Sequence, residues 1–182
     1  ANQKPQLESL HETVRKLWSN AGYLSASHAK KAHAQALKTI ENFYNTHQQS
    51  VPSKIEWPFS LRLEGPELII AGRLDAVFKE NEYTEIRDYK TSTSVTTEKK
   101  AKQRALSSDQ LTLYALVWQA AHGKLPNLLS LEFVDTGLVG SVKKTQRGID
   151  SMYAKLQEMV SDIENNTYPP RGEHTFCIHP EI

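Results

Sequence analysis

The stretch AGRLDAVFKENEYTEIRDYK, from Ala71 to Lys90, decides the fold. It contains no proline and carries Val, Ile, Phe and Tyr side chains, which favour strands. A polar turn at Asn81-Glu82 divides it, so the stretch predicts a β-hairpin. In the register that this turn sets, Asp75 lies opposite Asp88.

Two carboxylates and one ammonium converge on one point of this hairpin. Directly paired residues lie about 4.5–5.5 Å apart at Cβ, so Asp75 and Asp88 repel unless positive charge lies between them. Side chains alternate along a strand, so Lys90 shares a face with Asp88 while Tyr89 points away. Carboxylates of this kind bind Mg²⁺ or Mn²⁺, and a nearby lysine can position a water and stabilise a phosphoryl group under attack. A surface hairpin with a cross-strand ion pair explains the same residues.

Length and composition describe an ordinary soluble domain. The chain has 182 residues, 38% of them apolar and 24% charged, and it is long enough for a sizeable core. We find neither the ~20 apolar residues that cross a bilayer nor a secretory signal, so we expect an intracellular protein with no membrane partner. The net charge of +1 gives no argument for nucleic acid, which must rest on local clusters. Because the chain begins without methionine, we expect a fragment of a larger protein.

The order of periodic segments predicts a mixed α/β fold, a central sheet of about five strands flanked by helices. We expect one domain, with N-terminal helices in 1–50, a core and final helix in 51–165, and a tail in 166–182. Before the hairpin we predict helices over 5–19 and 27–44, the second capped by Ser27, and a strand over 55–63 that ends in a turn at Gly65-Pro66. After the hairpin we predict a surface loop over 91–108 and a helix over 107–122 that Gly123 stops. Strands on both sides of Asp135-Thr136-Gly137 and a helix over 149–163 complete the predicted elements.

The ordered motifs resemble the RecB-like branch of the PD-(D/E)XK nuclease superfamily. The pattern of that branch is a G-x-x-D strand, a D-Y-K-T strand about a dozen residues later, and a Q-x-x-x-Y helix. Here Gly72 to Asp75, Asp88 to Thr91, and Gln110 with Tyr114 match it, and the two aspartates are 13 residues apart. The resemblance covers most of the chain and implies a restriction-endonuclease-like core.

The resemblance also implies a metal site that includes a histidine of the first helix. His11 is followed by Glu12, as is common in that branch, although a histidine beside an apolar stripe is also compatible with a core role. His28 and His33 compete for the same function. The implied ligands are His11, Asp75, Asp88 and the main-chain carbonyl of Tyr89.

Gln110 and Tyr114 lie one helical turn apart, so both can reach the same point. By resemblance they border the active site and contact the nucleic-acid backbone or the lysine. A capping box with Ser107 is an alternative for Gln110, and a core position is an alternative for Tyr114. Glu56, on the preceding strand, is either a further acidic group of the site or an exposed strand residue.

A basic cluster follows Lys90 and is a candidate for phosphate contacts. Each contact would release counterions, so that affinity would fall with salt. A solvated surface explains the same cluster. Its members are Lys99, Lys100, Lys102 and Arg104.

Cys177 is the one cysteine of the chain, so an internal disulfide is impossible. Some relatives in the resembled branch bind an iron-sulfur cluster through four cysteines, which this chain cannot supply. His174, Cys177 and His179 lack a fourth ligand for zinc.

The resemblance implies a DNA nuclease dependent on Mg²⁺ or Mn²⁺, with Asp75, Asp88 and Lys90 as catalytic residues. We expect an exonuclease of DNA repair, recombination or end processing that acts on single-stranded or duplex ends, fused to a helicase or beside one. One alternative is a nuclease-like domain that only binds DNA or a protein. Another is an unrelated α/β interaction domain.

Overall fold

The computed structural model describes residues 5–47, 51–63, 68–165 and 167. These residues form helices α1 (Leu7–Leu17), α2 (Ala26–Thr46), α3 (Glu98–Leu106), α4 (Asp109–His122) and α5 (Gln146–Glu164), and strands β1 (Lys54–Leu63), β2 (Leu68–Glu80), β3 (Tyr83–Lys90), β4 (Leu128–Phe133) and β5 (Leu138–Val142). None of the helices in these ranges is long and apolar enough to cross a membrane.

The five strands form one sheet in the order β1-β2-β3-β4-β5. Three of the four neighbouring pairs are antiparallel, and β3 with β4 is parallel. A parallel pair needs a long crossover, which α3 and α4 provide. This arrangement confirms the predicted α/β fold with a mixed five-stranded sheet, and it is consistent with a restriction-endonuclease-like core.

The β2–β3 hairpin has the predicted turn and register. Glu80 pairs with Tyr83, and Ala76 pairs with Arg87. The turn residue Asn81 has a φ of 53°, a left-handed conformation that asparagine tolerates better than most residues. The paired ladder ends at Ala76, so the two strands separate at Asp75.

The two faces of the sheet are covered by different helices. On one face, the buried residues Leu111 and Trp118 of α4 belong to the same apolar core as Ile86 of β3. On the other face, Phe43 of α2 packs edge-on against Tyr89, with ring centroids 5.5 Å apart. Neighbouring residues of β3 therefore meet different helices.

The segment 91–108 contains α3, so the prediction of a surface loop was wrong there. Thr97 caps the helix by accepting a hydrogen bond from the N–H of Lys100 (3.3 Å). The buried residues of α3 are Ala101 and Ala105. Because these side chains are small, they produced no visible apolar periodicity, although they dock the helix against the sheet.

Two predicted helix caps are displaced. Ser25 caps α2 rather than Ser27, and Ser108 caps α4 rather than Ser107. The predicted stop of α4 is confirmed, since Gly123 has a left-handed φ of 72°. The predicted turn at Gly65-Pro66 and the predicted tail with Cys177 lie outside the described residues.

Gly140 allows α3 to lie directly on β5, and we expect Gly140→Ala to be strongly destabilising. A Cβ at this position would lie 2.0 Å from the main-chain oxygen of Ala101, so the helix backbone would have to move. Overpacking of this kind costs about 1–3 kcal/mol of unfolding free energy, and contact with backbone favours the upper end. Denaturant unfolding measures the loss.

Gly148→Ala is the matched control for that substitution. Gly148 lies in α5, where an added Cβ would have Thr145 Oγ1 at 3.7 Å, an ordinary contact. Alanine favours a helix over glycine by about 0.5–1 kcal/mol, so this variant should be as stable as the wild type or more stable. Equal stabilities of the two variants would contradict the close α3–β5 packing.

Candidate active site

Asp88 occupies the point where β2 and β3 separate, and it is almost completely buried, with 1% of its surface exposed. Its Oδ1 accepts a hydrogen bond from the Tyr114 hydroxyl (3.3 Å). Lys90 Nζ lies 2.8 Å from Oδ2 as an ion pair, but not in a geometry that makes a hydrogen bond. Oδ2 is therefore a buried carboxylate oxygen with unused capacity to accept.

Asp75 contacts β3 through its side chain, because the main-chain pairing of β2 with β3 ends at Ala76. Its Oδ2 accepts a hydrogen bond from the main-chain N–H of Tyr89 (2.9 Å). The carboxylate of Asp75 thus takes the place of a strand partner and stays close to Asp88. The structure brings together the two aspartates that the hairpin register paired.

The electrostatics of the pair follow from burial. Burial raises the pKa of Asp88 above the ordinary range of a carboxyl; the Lys90 ammonium opposes this shift, and the negative charge of Asp75 adds to it. The net shift of the Asp88 pKa is upward, so the lysine does not fully offset burial together with the charge of Asp75. Further positive charge at this point would stabilise the ionised pair.

Four side chains form a closed ring of polar contacts around this point. Lys90 Nζ donates to Gln110 Oε1 (2.8 Å), Gln110 Nε2 donates to the Tyr114 hydroxyl (2.7 Å), and that hydroxyl donates to Asp88. Lys90 closes the ring through its ion pair with Asp88. The ring connects β3 with α4 and brings together residues that are 26 positions apart.

The ring also sets the protonation and orientation of its members. Burial raises the pKa of Tyr114, and the charge of Asp88 adds to the shift, so the hydroxyl stays a donor at neutral pH. Gln110 must then present its oxygen to Lys90 and its nitrogen to Tyr114. Since Ser108 caps α4, Gln110 is not part of a capping box with Ser107.

His11 lies on α1 with a buried Nε2 that has no hydrogen-bond partner in the described ranges. Its Nδ1 lies 4.0 Å from Glu8 Oε2. Within those ranges, no three His, Cys, Asp or Glu side chains are grouped closely enough to hold a metal ion. The structure therefore does not gather His11 with the two aspartates, and its ligand role stays a prediction.

The competing histidines have aromatic neighbours. The ring of His28 packs edge-on against Tyr23 (centroids 5.4 Å apart), and the ring of His33 packs edge-on against Trp18 (4.8 Å). These contacts pack both histidines of α2 against the segment that connects α1 to α2.

The donor groups at the site suit a hard divalent cation. Asp88 Oδ2 is buried and under-coordinated, and a second carboxylate lies beside it. His11 Nε2 is buried and has no hydrogen-bond partner among the described residues, but it is not grouped with these carboxylates. Oxygen-rich sets of this kind with few protein ligands are typical of Mg²⁺ and Mn²⁺ sites, so the residues fit such an ion.

Glu56 stands in register across from Asp75, since Ile55 pairs with Ala76 and Trp57 pairs with Leu74. Its backbone has a φ of 47°, a left-handed conformation that strains a non-glycine residue within a strand. Its carboxylate lies 3.8 Å from the guanidinium of Arg73, and both side chains are exposed. Glu56 therefore faces solvent as an acid adjacent to the site.

A buried ionic network behind the site was not foreseen from the sequence. Glu132 of β4 is 1% exposed; its carboxylate pairs with Nε2 of His47, the residue after α2 (2.9 Å), and with Arg87 of β3 (2.9 Å). Arg87 also pairs with Glu85 (2.9 Å). The alternation of Glu85, Arg87 and Tyr89 along β3 was the available signal, since it places charge on the face opposite Asp88.

The four basic residues predicted to contact phosphate do not share one environment. Lys100 and Arg104 line a groove beside α3, and Arg104 also lines the part of it that reaches Lys90. Lys99 and Lys102 are exposed on the same helix but do not line this groove. The helix thus divides the cluster into two pairs.

The mixed sheet, together with the acidic pair and lysine at its split strands, defines a restriction-endonuclease-like class of protein. A family model for the PD-(D/E)XK nuclease superfamily matches residues 1–180, and the chain therefore belongs to that superfamily. Nucleases of this superfamily generally use divalent metals. A search of curated proteins found no match for the chain.

Proposed function

We propose that the chain is a deoxyribonuclease of the RecB-like branch that depends on Mg²⁺ or Mn²⁺. The observation that supports this proposal is the contact ring of Asp88, Lys90, Gln110 and Tyr114. It joins the D-Y-K-T strand to the Q-x-x-x-Y helix in one polar site, with Asp75 of the G-x-x-D strand beside it. Those three motifs are the ones that distinguish this branch.

The metal-binding role falls to the carboxylates. Asp75 and Asp88 would hold the ion with His11 and the main-chain carbonyl of Tyr89. When bound, such an ion polarises the phosphate and lowers the pKa of a coordinated water. Asp88 is held for this task by Tyr114, and Asp75 by the N–H of Tyr89.

Lys90 would act on the attacking water and on the phosphate. An ammonium has three donors; Gln110 accepts from one of them, and Asp88 Oδ2 lies beside the amine as its ion-pair partner. Because 39% of the Lys90 side chain is exposed, a further donor can reach a substrate. Gln110 fixes the position of the amine, so that its charge is already in place where negative charge develops on the phosphoryl oxygens.

For the wider role, we propose an exonuclease that processes DNA ends in repair or recombination, beside or fused to a helicase. This part of the proposal rests on the likeness of the motifs to the RecB-like branch. The alternative of a nuclease-like domain without cleavage is disfavoured, because the acidic, basic and amide groups needed for hydrolysis are all present in contact.

The direct test is cleavage of end-labelled single-stranded and duplex DNA with Mg²⁺, with Mn²⁺ and with EDTA. We expect degradation only with a divalent ion, and labels on opposite ends report the polarity. Protein that binds DNA but leaves it intact with both metals would establish the binding-only alternative.

Lys90→Met should lower the cleavage rate by at least about a hundredfold, because it removes a preorganised charge next to the reacting phosphate. Lys124→Met is the matched control. Lys124 forms an exposed ion pair with Glu82 at the far end of the hairpin, and its loss should leave cleavage unchanged. Cleavage by Lys90→Met at the wild-type rate would refute the proposed role of the lysine.

A further inference from the structure

A groove with a mixed polar and apolar lining leads away from the active site along α3. Its near part, of about 340 Å³, is lined by Lys90, Thr91 and Ser92, and its far part, of about 490 Å³, by Ser94 and Lys100. Arg104 and Ser107 line both parts, so the two are continuous. The groove therefore connects the lysine of the site to the basic helix.

The groove carries positive charge, and Lys90 at its near end is the cation that has an ion-pair partner, Asp88. No Asp or Glu is among its lining residues, and the side chains of Lys100 and Arg104 form no hydrogen bond or ion pair with the described part of the chain. Residues four apart on a helix have Cβ atoms about 5–6 Å apart and share a face. Lys90, Arg104 and Lys100 therefore form a row of cations that begins at the active site.

Serine hydroxyls lie beside the cations of this row. Ser92 and Ser94 lie on the approach to α3, with their hydroxyls 2.9 Å apart, and the hydroxyls of Ser107 and Ser108 lie at the junction of α3 and α4. Hydroxyl groups and cations are the usual partners of phosphate oxygens in nucleic-acid complexes, and they carry no base specificity.

The helix that carries the cations is fixed against the sheet. Gly140 lets α3 lie directly on β5, and Lys144 Nζ donates to the main-chain oxygens of Leu106 (3.2 Å) and Ser108 (3.3 Å). Lys144 thereby satisfies a carbonyl at the end of α3 and joins α3 to α4. The backbone positions from which Lys100 and Arg104 extend are therefore fixed relative to the sheet.

Resting on the proposed nuclease function, we propose that this groove binds the sugar-phosphate backbone of one DNA strand beyond the scissile phosphate. Arg104, which lines both parts, contacts the phosphate nearer Lys90, and Lys100 contacts the next one along the groove. Lys99 and Lys102 contribute only to the general positive field of the helix. Binding in the groove is independent of sequence.

Two double variants with the same change in charge test this proposal. Lys100→Glu/Arg104→Glu reverses the pair in the groove, and Lys99→Glu/Lys102→Glu reverses the pair outside it. Binding of a labelled oligothymidylate is measured by fluorescence anisotropy in EDTA over a series of salt concentrations, so that cleavage does not interfere. Thermal unfolding of each variant shows that it is folded.

We expect the groove variant to bind at least about tenfold more weakly than the wild type at 0.1 M salt, and the control to bind within about threefold. Log K falls with log salt, and loss of two phosphate contacts should make this dependence shallower by about 1.4 in slope. The control should not show that change. Equal weakening by both pairs would overturn the proposal. If the charge-reversed variant does not fold, Lys100→Gln/Arg104→Gln, which introduces no acid, replaces it. This variant should also bind more weakly than the control pair.

Cleavage assays test nuclease activity separately from binding in the groove. Wild-type protein that binds through the groove but cleaves nothing with Mg²⁺ or Mn²⁺ would remove the nuclease proposal and leave the groove. Wild-type protein that cleaves DNA, with both double variants binding equally, would remove the groove and leave the nuclease.

Discussion

Replacing Asp88 with asparagine is expected to abolish cleavage while raising the melting temperature of the metal-free protein. The substitution removes the carboxylate that would hold the cation, and electrostatic stabilisation by such an ion amounts to several kcal/mol. That energy corresponds to a rate loss of at least about a thousandfold. Asparagine keeps the oxygen that accepts from Tyr114, and Lys90 keeps Gln110, so the contact ring is largely retained.

The gain in stability should depend on pH. Because burial, partly opposed by Lys90, raises the pKa of Asp88 in the folded protein, the folded state holds a proton on this group that the unfolded state has already released. Unfolding free energy therefore falls as the pH rises through the interval between the unfolded and folded pKa values. The advantage of Asp88→Asn in EDTA should be smallest below the ordinary aspartate pKa of about 3.9 and largest at neutral pH.

Differential scanning fluorimetry with EDTA and with Mn²⁺ measures both effects. Wild-type protein should be stabilised by Mn²⁺, and Asp88→Asn should lose that response. Asp150→Asn, on the exposed face of α5, is the matched control and should keep it. Wild-type cleavage by Asp88→Asn, or a lower melting temperature at neutral pH in EDTA, would contradict the assignment of Asp88.

Replacing Arg87 with methionine is expected to be the most destabilising change behind the active site. Burial lowers the pKa of Arg87, but the neighbouring charges of Glu85 and Glu132 outweigh burial and raise it, so the guanidinium stays charged. Methionine leaves the buried Glu132 with His47 alone and removes the cation from Glu85. Stranding a buried charge in this way costs about 3–5 kcal/mol of unfolding free energy.

Denaturant unfolding of two further variants isolates the cause. Arg73→Met makes the same change to an exposed arginine of β2 and should cost less than about 1 kcal/mol. Arg87→Met/Glu132→Leu removes both buried charges and should recover part of the lost stability. A cost for Arg87→Met no larger than that for Arg73→Met would show that solvent screens the network.

The sequence could predict those parts of the fold that depend on neighbours in the chain. The hairpin register follows from one turn and from the two-residue period of a strand, so the pairing of Ala76 with Arg87 was foreseeable. Helix α4 has a long buried face and a glycine stop, and both are visible locally. The helix α3 was missed because its contact with the sheet consists of two alanines and the glycine of a later strand.

The candidate site also has a part that local sequence could predict and a part that it could not. The types and spacing of Asp75, Asp88 and Lys90 were readable in the sequence, because alternation along a strand assigns their faces. The network of Glu132, Arg87 and His47 was not, since it joins two strands and a helix through contacts whose sequence separations no local pattern encodes.

By itself, the sequence determined the hairpin and the acidic pair with its lysine, since short-range periodicity and one turn suffice for them. Only the tertiary structure decided that Gln110 and Tyr114 close a ring with Lys90 and Asp88, and that Lys100 and Arg104, but not Lys99 and Lys102, border the groove. The reason is physical: these relations depend on how a helix rotates and docks against a sheet. Burial of side chains distant in sequence, such as Ala101 against Gly140, sets that docking.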